Sequence, residues 1–254
     1  MPSLTAPTSR DLARYSRWLA PFERALGLEL RGLERIPRDT GPLMFVGNHQ
    51  LLALDAPFLV SAIYRSCGVP LRALADDLLF TVPTMGRWAQ RVGVVRASRA
   101  NAHALLEQDA WILVYPGGAR EATKPMAKPY ELDWWDRLGF AEVALQHRAT
   151  IVPIAAYGID DAFRILVSNE RIRASPIGGA LNRLQVRSDL ILPLFAPRRL
   201  PKLRFHVCEP ITTADFRCRR TDTSPRRLRA AVAASIQDEL ARMGAPVAAT
   251  CPAP

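Results

Sequence analysis

The sequence predicts an α/β fold, a single domain whose mixed, mostly parallel central sheet is flanked by helices. Three observations predict it. Runs of strand character alternate with helical periodicity from Leu28 to Met243, the pattern of a layered α/β domain. Ala110–Tyr115 is continuously apolar and as long as a strand buried on both faces. No repeat or linker interrupts the 254 residues, which is enough chain to bury a substantial core.

Residues 8–27 read as an amphipathic helix. Leu12, Tyr15, Leu19, Phe22 and Leu26 recur at three- and four-residue steps, with Arg10, Arg14, Arg17 and Arg24 between them. Pro21 is expected to kink or restart it. The segment 1–27 has two readings: an interfacial anchor, with Tyr15 and Trp18 at headgroup depth and arginines toward anionic lipid, or a core-packing helix with a solvated basic face. The main domain then runs from 28 to 244.

Within it, Leu28–Ile36 reads as a strand closed by Pro37, Asp39-Thr40-Gly41 as a turn and Pro42–Val46 as the next strand. Ala56–Cys67 is a helix with Pro57 in its first turn. Pro70–Ala75 is a strand, Pro83–Arg91 a helix, Gly93–Val95 a short strand and Arg99–Glu107 a helix. Residues 116–136 hold Pro116, Gly117, Gly118, Pro125 and Pro129 and form a long loop, a kind of segment that is more often functional than not. Arg137–Gln146 is a helix and Thr150–Tyr157 a strand, whereas 160–187 shows no clear period. Asp189–Leu194 and Lys202–Val207 are further strands. Ser224 is placed to cap a final helix to Met243, which Gly244 stops. Residues 245–254 are expected to be a disordered tail.

Composition narrows the class. Hydrophobic residues make up 49% and charged residues 23%, which excludes an intrinsically disordered chain. The formal net charge of +10 suits an anionic partner: nucleic acid, an anionic leaflet, or a phosphorylated cofactor or acidic carrier protein. Cys67, Cys208, Cys218 and Cys251 show neither a Cys-x-x-Cys pair nor a zinc spacing, so a structural metal is not expected and free thiols in a reducing compartment are. The first ten residues lack a signal-peptide profile, and no run of about 18 apolar residues occurs. A soluble or membrane-peripheral protein is expected.

Open α/β sheets carry their sites at the carboxyl ends of strands. Two such ends stand out. At the first, Gly47-Asn48-His49-Gln50 is followed by Asp55, six positions beyond His49 with nothing else titratable between them. An imidazole and a carboxylate are the minimum of a base with its orienting group; the alternative is a buried structural histidine and a helix-capping or exposed aspartate. At the second, Tyr115-Pro116-Gly117-Gly118-Ala119-Arg120-Glu121 offers main chain open to close approach and a bidentate cation; the alternative is a tight turn with a surface Arg–Glu pair.

Taken together, Asn48-His49 with Asp55, then Tyr115-Pro116-Gly117-Gly118-Ala119-Arg120-Glu121-Ala122, then Ile151-Val152-Pro153-Ile154 resemble the ordered blocks of the phospholipid/glycerol acyltransferase superfamily. The likeness is strongest to its diacylglycerol-acyltransferase-like branch, which includes plant phytyl ester synthases. Tyr130, Leu132, Trp134, Arg137, Gly139 and Phe140 match that branch, as do Gly158-Ile159-Asp160-Asp161 and Glu209-Pro210-Ile211, so the resemblance covers roughly 28–215.

It implies a glycerol-phosphate-acyltransferase-like fold and an O-acyltransferase, with His49 as general base oriented by Asp55. The implied substrate-binding positions are Asn48, Gln50, Arg96, Arg99, Gly117, Gly118, Arg120 and Glu121. The acyl donor would be acyl-CoA or acyl-carrier protein, with no bound cofactor and no metal. A lipid acceptor and a membrane surface would be its partners, at the inner face of the cell membrane on the cytoplasmic side. The His–Asp spacing is six rather than the commoner five. Gly117 stands where lysophosphatidate acyltransferases carry a glutamate implicated in binding glycerol phosphate, which favours a neutral alcohol as acceptor. A lysophospholipid or glycerol-3-phosphate acyltransferase and a non-catalytic lipid-binding relative remain alternatives.

His103, His147 and His206 have no motif partner and read as structural or surface residues. The tract 198–229 carries ten Lys or Arg against Glu209, Asp215 and Asp222. It either faces anionic lipid or an acidic carrier, or is a solvated face. Its few aromatics argue against nucleic acid. No Gly-x-Ser-x-Gly elbow occurs, which argues against a serine esterase.

Overall fold

Successive side chains of a strand leave on opposite faces, and Leu43–Gly47 shows how the chain uses this. Leu43 and Phe45 enter one hydrophobic core, Met44 and Val46 another, and all four are fully buried. A strand apolar on both faces needs helices on both, which parallel crossovers supply. The computed structural model describes residues 4–38, 41–123, 129–167, 169–176, 178–179, 194–198, 200, 202–216 and 223–246.

The strands are β1 (Glu29–Arg31), β2 (Leu43–Gly47), β3 (Leu71–Ala75), β4 (Val95–Arg96), β5 (Trp111–Val114), β6 (Thr150–Tyr157), β7 (Phe163–Val167), β8 (Leu194–Pro197) and β9 (Arg204–Val207). Seven form one sheet in the order β1-β9-β6-β2-β5-β3-β4. All its pairings are parallel except β6 with β9. The expected mixed, mostly parallel sheet is therefore present. β7 and β8 pair antiparallel in a separate two-stranded sheet.

The helices are α1 (Ser9–Ala25), α2 (Ala56–Cys67), α3 (Leu78–Thr81), α4 (Pro83–Arg91), α5 (Arg99–Leu106), α6 (Gly118–Ala122), α7 (Gly139–His147), α8 (Asn169–Arg173) and α9 (Ser224–Arg242). On one face of the sheet α1 and α2 contribute Tyr15, Leu19, Leu59 and Ile63 to the core with Leu43, Phe45 and Leu113. On the other, α5, α7 and α9 contribute Leu105, Ala144, Val232 and Ile236 against Met44, Ile112 and Ile151.

Several expectations are corrected. The helix at the start runs unbroken through Pro21, because that residue is exposed and the hydrogen bond it cannot make falls on the solvent side. Of the two readings of this helix, Tyr15 follows the core-packing one: it is buried, and its hydroxyl donates to the Pro57 carbonyl at 2.9 Å. Phe22, expected inward, is exposed with Trp18. The strand expected over Leu28–Ile36 shrinks to β1, because Gly32 turns left-handed at φ 77° into the 3-10 turn Leu33–Arg35. A side chain at 32 would meet the Val207 carbonyl. Residues 116–136 are not wholly loop, since α6 forms at once after Gly117. The cap position of α9 falls on Thr223, one residue before Ser224. Asp39 and Thr40 of the expected turn, residues 189–193 of the expected strand and 247–254 of the expected tail lie outside the described residues, as do Arg199 and residues 217–222 of the basic tract.

Candidate active site

β2 ends at Gly47, and the next residues are fastened across to the far end of β6. The Asn48 side-chain amide donates to Ala156 O at 2.9 Å and accepts from Ala156 N at 2.7 Å, extending the β2–β6 ladder past the strand. Gln50 Oε1 accepts from Ile159 N at 2.7 Å, and Asp160 Oδ1 accepts from Leu51 N at 2.8 Å. Asn48, Gln50 and Asp160 are buried, where each such bond contributes about 1 kcal/mol and a lost partner costs more. His49, only 8% exposed, is thus held by fastenings on both sides.

Its ring lies on Tyr115, the residue after β5, with centroids 4.4 Å apart and planes 19° from parallel. Asp55 occupies the cap position of α2 and is fully buried. Its carbonyl, rather than its carboxylate, takes the first helix bonds, from Phe58 N and Leu59 N. Between the histidine and the aspartate the chain passes through two consecutive left-handed residues, Leu52 at φ 52° and Ala53 at φ 56°, each costing about 1 kcal/mol or more for a residue with a side chain. The long His–Asp spacing is accommodated in this strained turn. Burial pushes the Tyr115 phenol well above its ordinary pKa, and the charges of Asp55 and Glu121 push it further. Those two carboxylates and His49 therefore share one neighbour, a phenol that stays protonated throughout the physiological range.

The second strand end meets the first, since α6 packs on the 51–53 turn. Gly118 is left-handed at φ 55°, a conformation that suits glycine. Arg137 Nη1 donates to the carbonyls of Pro116 and Gly117 at 3.1 and 3.0 Å and closes the turn from outside. A side chain at Gly117 would collide with the Cβ and carboxylate of Glu121, one helical turn on and fully buried. The space that a residue at 117 would fill is thus held by the Glu121 carboxylate.

The structure brings Asn48, His49, Gln50, Asp55, Gly117, Gly118 and Glu121 to one end of β2 and β5. The arginines stand further out. Arg96 is on β4, three strands from β2 and so roughly 14 Å along the sheet; it pairs with Asp77 at 2.7 Å and covers the Phe80 ring. Arg99 pairs with Glu142 at 2.7 Å, and Arg120 with Asp133 at 2.8 Å while lying over Trp135. Asn48 and Gln50 both commit their side-chain oxygens to main chain that builds the site.

A family model described as Acyltransferase matches residues 27–157, just over half of the chain. The chain belongs to this acyltransferase family. The match takes in β1 through β6, and with them His49, Asp55 and the whole Gly117–Glu121 turn. This acyltransferase chain is 34% identical over 158 residues to phytyl ester synthase 2, chloroplastic, of Arabidopsis thaliana, covering 59% of this chain and 22% of that protein. It is 29% identical over 140 residues to the human DGAT1/2-independent enzyme synthesizing storage lipids, covering 55% of this chain and 43% of that one. It therefore spans about a fifth of the plant protein's length and under half of the human one's. The crystal structure of the 1-acyl-sn-glycerophosphate acyltransferase of Thermotoga maritima superposes with a TM-score of 0.59 at 17% identity, over 93% of this chain and 81% of that one, a likeness of fold.

Sequence reasoning missed two contributions to this candidate site. Asp160 and Ile159 hold the histidine loop from more than a hundred residues away, and only the likeness of Gly158-Ile159-Asp160-Asp161 to the branch pointed there. Tyr115 was visible as part of a block but not as the surface on which His49 rests. The other histidines do have partners: His103 Nδ1 lies 2.7 Å from His147 Nε2, and His206 bonds Glu239 at 2.8 Å.

Proposed function

We propose that the chain is an O-acyltransferase that moves a fatty acyl group from an acyl thioester, acyl-CoA or acyl-carrier protein, to a neutral lipid hydroxyl such as that of a mono- or diacylglycerol or a long-chain alcohol. Neutral His49 takes the proton of the hydroxyl as its oxygen bonds to the thioester carbonyl carbon. The carbon–sulfur bond then breaks, and the thiolate leaves with the proton from the imidazolium. Asp55 orients the ring and stabilises the imidazolium, and such base assistance is worth about 10²–10⁴ in rate. Main-chain N–H groups at Gly117 and Gly118 are the candidates to meet the oxyanion.

The observation that carries this reading is the fastened, buried His49 with a fully buried Asp55 at the start of the next helix. The neutral acceptor is supported by the names of the plant and human relatives and by the arginines, since Arg96, Arg99 and Arg120 each face a carboxylate and Arg137 faces carbonyls. The carboxylate in the space of residue 117 favours the second reading, a lysophosphatidate or glycerol-phosphate acceptor. Labelled acyl-CoA offered with monoacylglycerol and lysophosphatidate in competition tests both. Preferential esterification of monoacylglycerol, lost in His49→Ala, is expected; transfer at the parent rate by that variant removes the dyad, and preference for lysophosphatidate installs the second reading.

The same reading includes a membrane-facing surface. No helix among the described residues is long and apolar enough to cross a membrane. Instead Trp18 (59% exposed) and Phe22 (50%) of α1 adjoin Trp88 (44%) of α4, with ring centroids 5.5 and 6.2 Å from that of Trp18. Met85 shares the α4 face of Trp88, and Arg14, Arg17, Arg87 and Arg91 are exposed on the same two helices. Aromatics flanked by arginines suit the headgroup region of an anionic leaflet, here the inner face of the cell membrane. Co-sedimentation with phosphatidylglycerol vesicles, weakened in Trp18→Ala/Trp88→Ala, is the expected result, and undiminished binding by that variant rejects this surface.

A further inference from the structure

We propose that Tyr115 is a positioning residue for His49, and that Gly47 exists to admit it: the phenol ring, seated where a Gly47 side chain would stand, is the floor on which the imidazole is held. This rests on the reading of His49 as the base. The two rings stack at 4.4 Å and 19°. A Cβ on Gly47 would lie 2.9 Å from Tyr115 Cε1, closer than real carbon contacts allow, and Gly47 has no positive φ of its own to account for its identity. The glycine is thus explained by close approach of a neighbouring group.

Three adjacent strands set the arrangement. β2 delivers His49 two residues past its end, β5 delivers Tyr115 one residue past its end, and the paired register Val46–Val114 fixes their relative height. β6 holds the loop through Ala156. The titratable groups around the pair are Asp55 at the start of α2, Glu121 on α6 and Asp160 after β6. A ring without charge lying flat on the imidazole keeps water from that face and restricts rotation about the Cβ–ring bond. The nitrogen that must meet the acceptor hydroxyl is then held in line, where a displacement of about 1 Å costs about 10²-fold in rate.

Three variants and their combination test this with the full chain, acyl-CoA and a monoacylglycerol acceptor. Tyr115→Leu is expected to lower kcat about 10- to 100-fold while leaving the KM for acyl-CoA within about twofold. It should also move the acid limb of the kcat/KM profile to higher pH, because an imidazolium open to water forms more readily. Tyr115→Phe keeps the ring and is expected to recover most of that loss and the parent's acid limb. Gly47→Ala is expected to lower kcat by displacing the ring, and Gly47→Ala/Tyr115→Leu to fall no further than Tyr115→Leu alone. Melting curves of each variant separate folding losses from catalytic ones. The inference is overturned if Tyr115→Leu keeps the parent kcat and acid limb while His49→Ala is inactive, if Tyr115→Phe loses as much as Tyr115→Leu, or if the Gly47 and Tyr115 losses add. Activity at the parent rate in His49→Ala overturns the reading of the base instead.

Discussion

Two histidines at the central sheet differ in their settings: His49 is buried past the end of a strand, and His206 is partly buried within one. His206 lies inside β9, and its Nδ1 bonds Glu239 of α9 at 2.8 Å. Glu239 is shared with Arg242 at 2.7 Å, so the pair is closed by a third, charged group. His49 lies two residues beyond the end of β2. Its loop is held by side-chain hydrogen bonds from Asn48, Gln50 and Asp160 and bent through two left-handed residues. The difference is one of address rather than residue type. A histidine within a strand is surrounded by ladder and helix, whereas one past a strand end faces the crevice where α/β sheets bind ligands.

This contrast breaks if the two histidines respond alike to removal. His49→Ala is expected to lose about 10²–10⁴ of acyl-transfer rate with little change in melting temperature. His206→Ala is expected to keep that rate while losing about 1 kcal/mol, because Glu239 Oε1 loses its partner while Oε2 keeps Arg242, a few degrees for a domain of this size. Steady-state rates and calorimetry on both variants check it.

A smaller effect sharpens the contrast. Asn48→Ala leaves the Ala156 N–H and carbonyl without their side-chain partner, at a cost of about 1–3 kcal/mol in denaturant unfolding, and is expected to lower kcat as well, because the fastening serves the site. Equal kcat with reduced stability would place Asn48 with His206, among the purely structural groups.

The smallest expected effect concerns Glu239. Burial alone would raise its pKa, but hydrogen bonds from His206 and Arg242 outweigh burial and hold it below the ordinary carboxylate value. A pKa depressed in the folded state stabilises above the unfolded value, and that stability is lost as pH falls through the folded one. Glu239→Gln is therefore expected to melt a few degrees below the parent at pH 7, about 1 kcal/mol, with the gap closing below about pH 4. A gap that persists in acid would assign the loss to packing.

The parts of the fold that could be read directly from sequence were those with local causes. Trp111–Val114 and Thr150–Tyr157 are apolar on both faces because both faces are covered, and Ala56–Cys67 announces itself with Pro57 in its first turn and Gly68 after its last. β7 and β8 were missed because their pairing spans a stretch without period, and neither strand enters the main sheet. Gly32 cut a nine-residue expectation to three because its neighbour, Val207, is distant in sequence. The site divides in the same way. His49, Asp55 and the Gly117–Gly118 turn were visible as residue types at strand ends. The bonds from Asn48 to Ala156 and from Gln50 to Ile159 cross more than a hundred residues, and no local pattern reports them.

The glycine at 117 carries a last consequence. Because the Glu121 carboxylate occupies the volume a side chain there would need, positions 117 and 121 cannot both bear large groups, and a change at one is conditional on the other. Gly117→Glu alone introduces a steric conflict and a second buried negative charge, whereas Gly117→Glu with Glu121→Gly restores one carboxylate to one volume. In a comparison of relatives the two positions would be expected to exchange glycine for glutamate as a correlated pair, an epistatic unit that a motif written position by position records as a loss at one place and an unrelated residue at another.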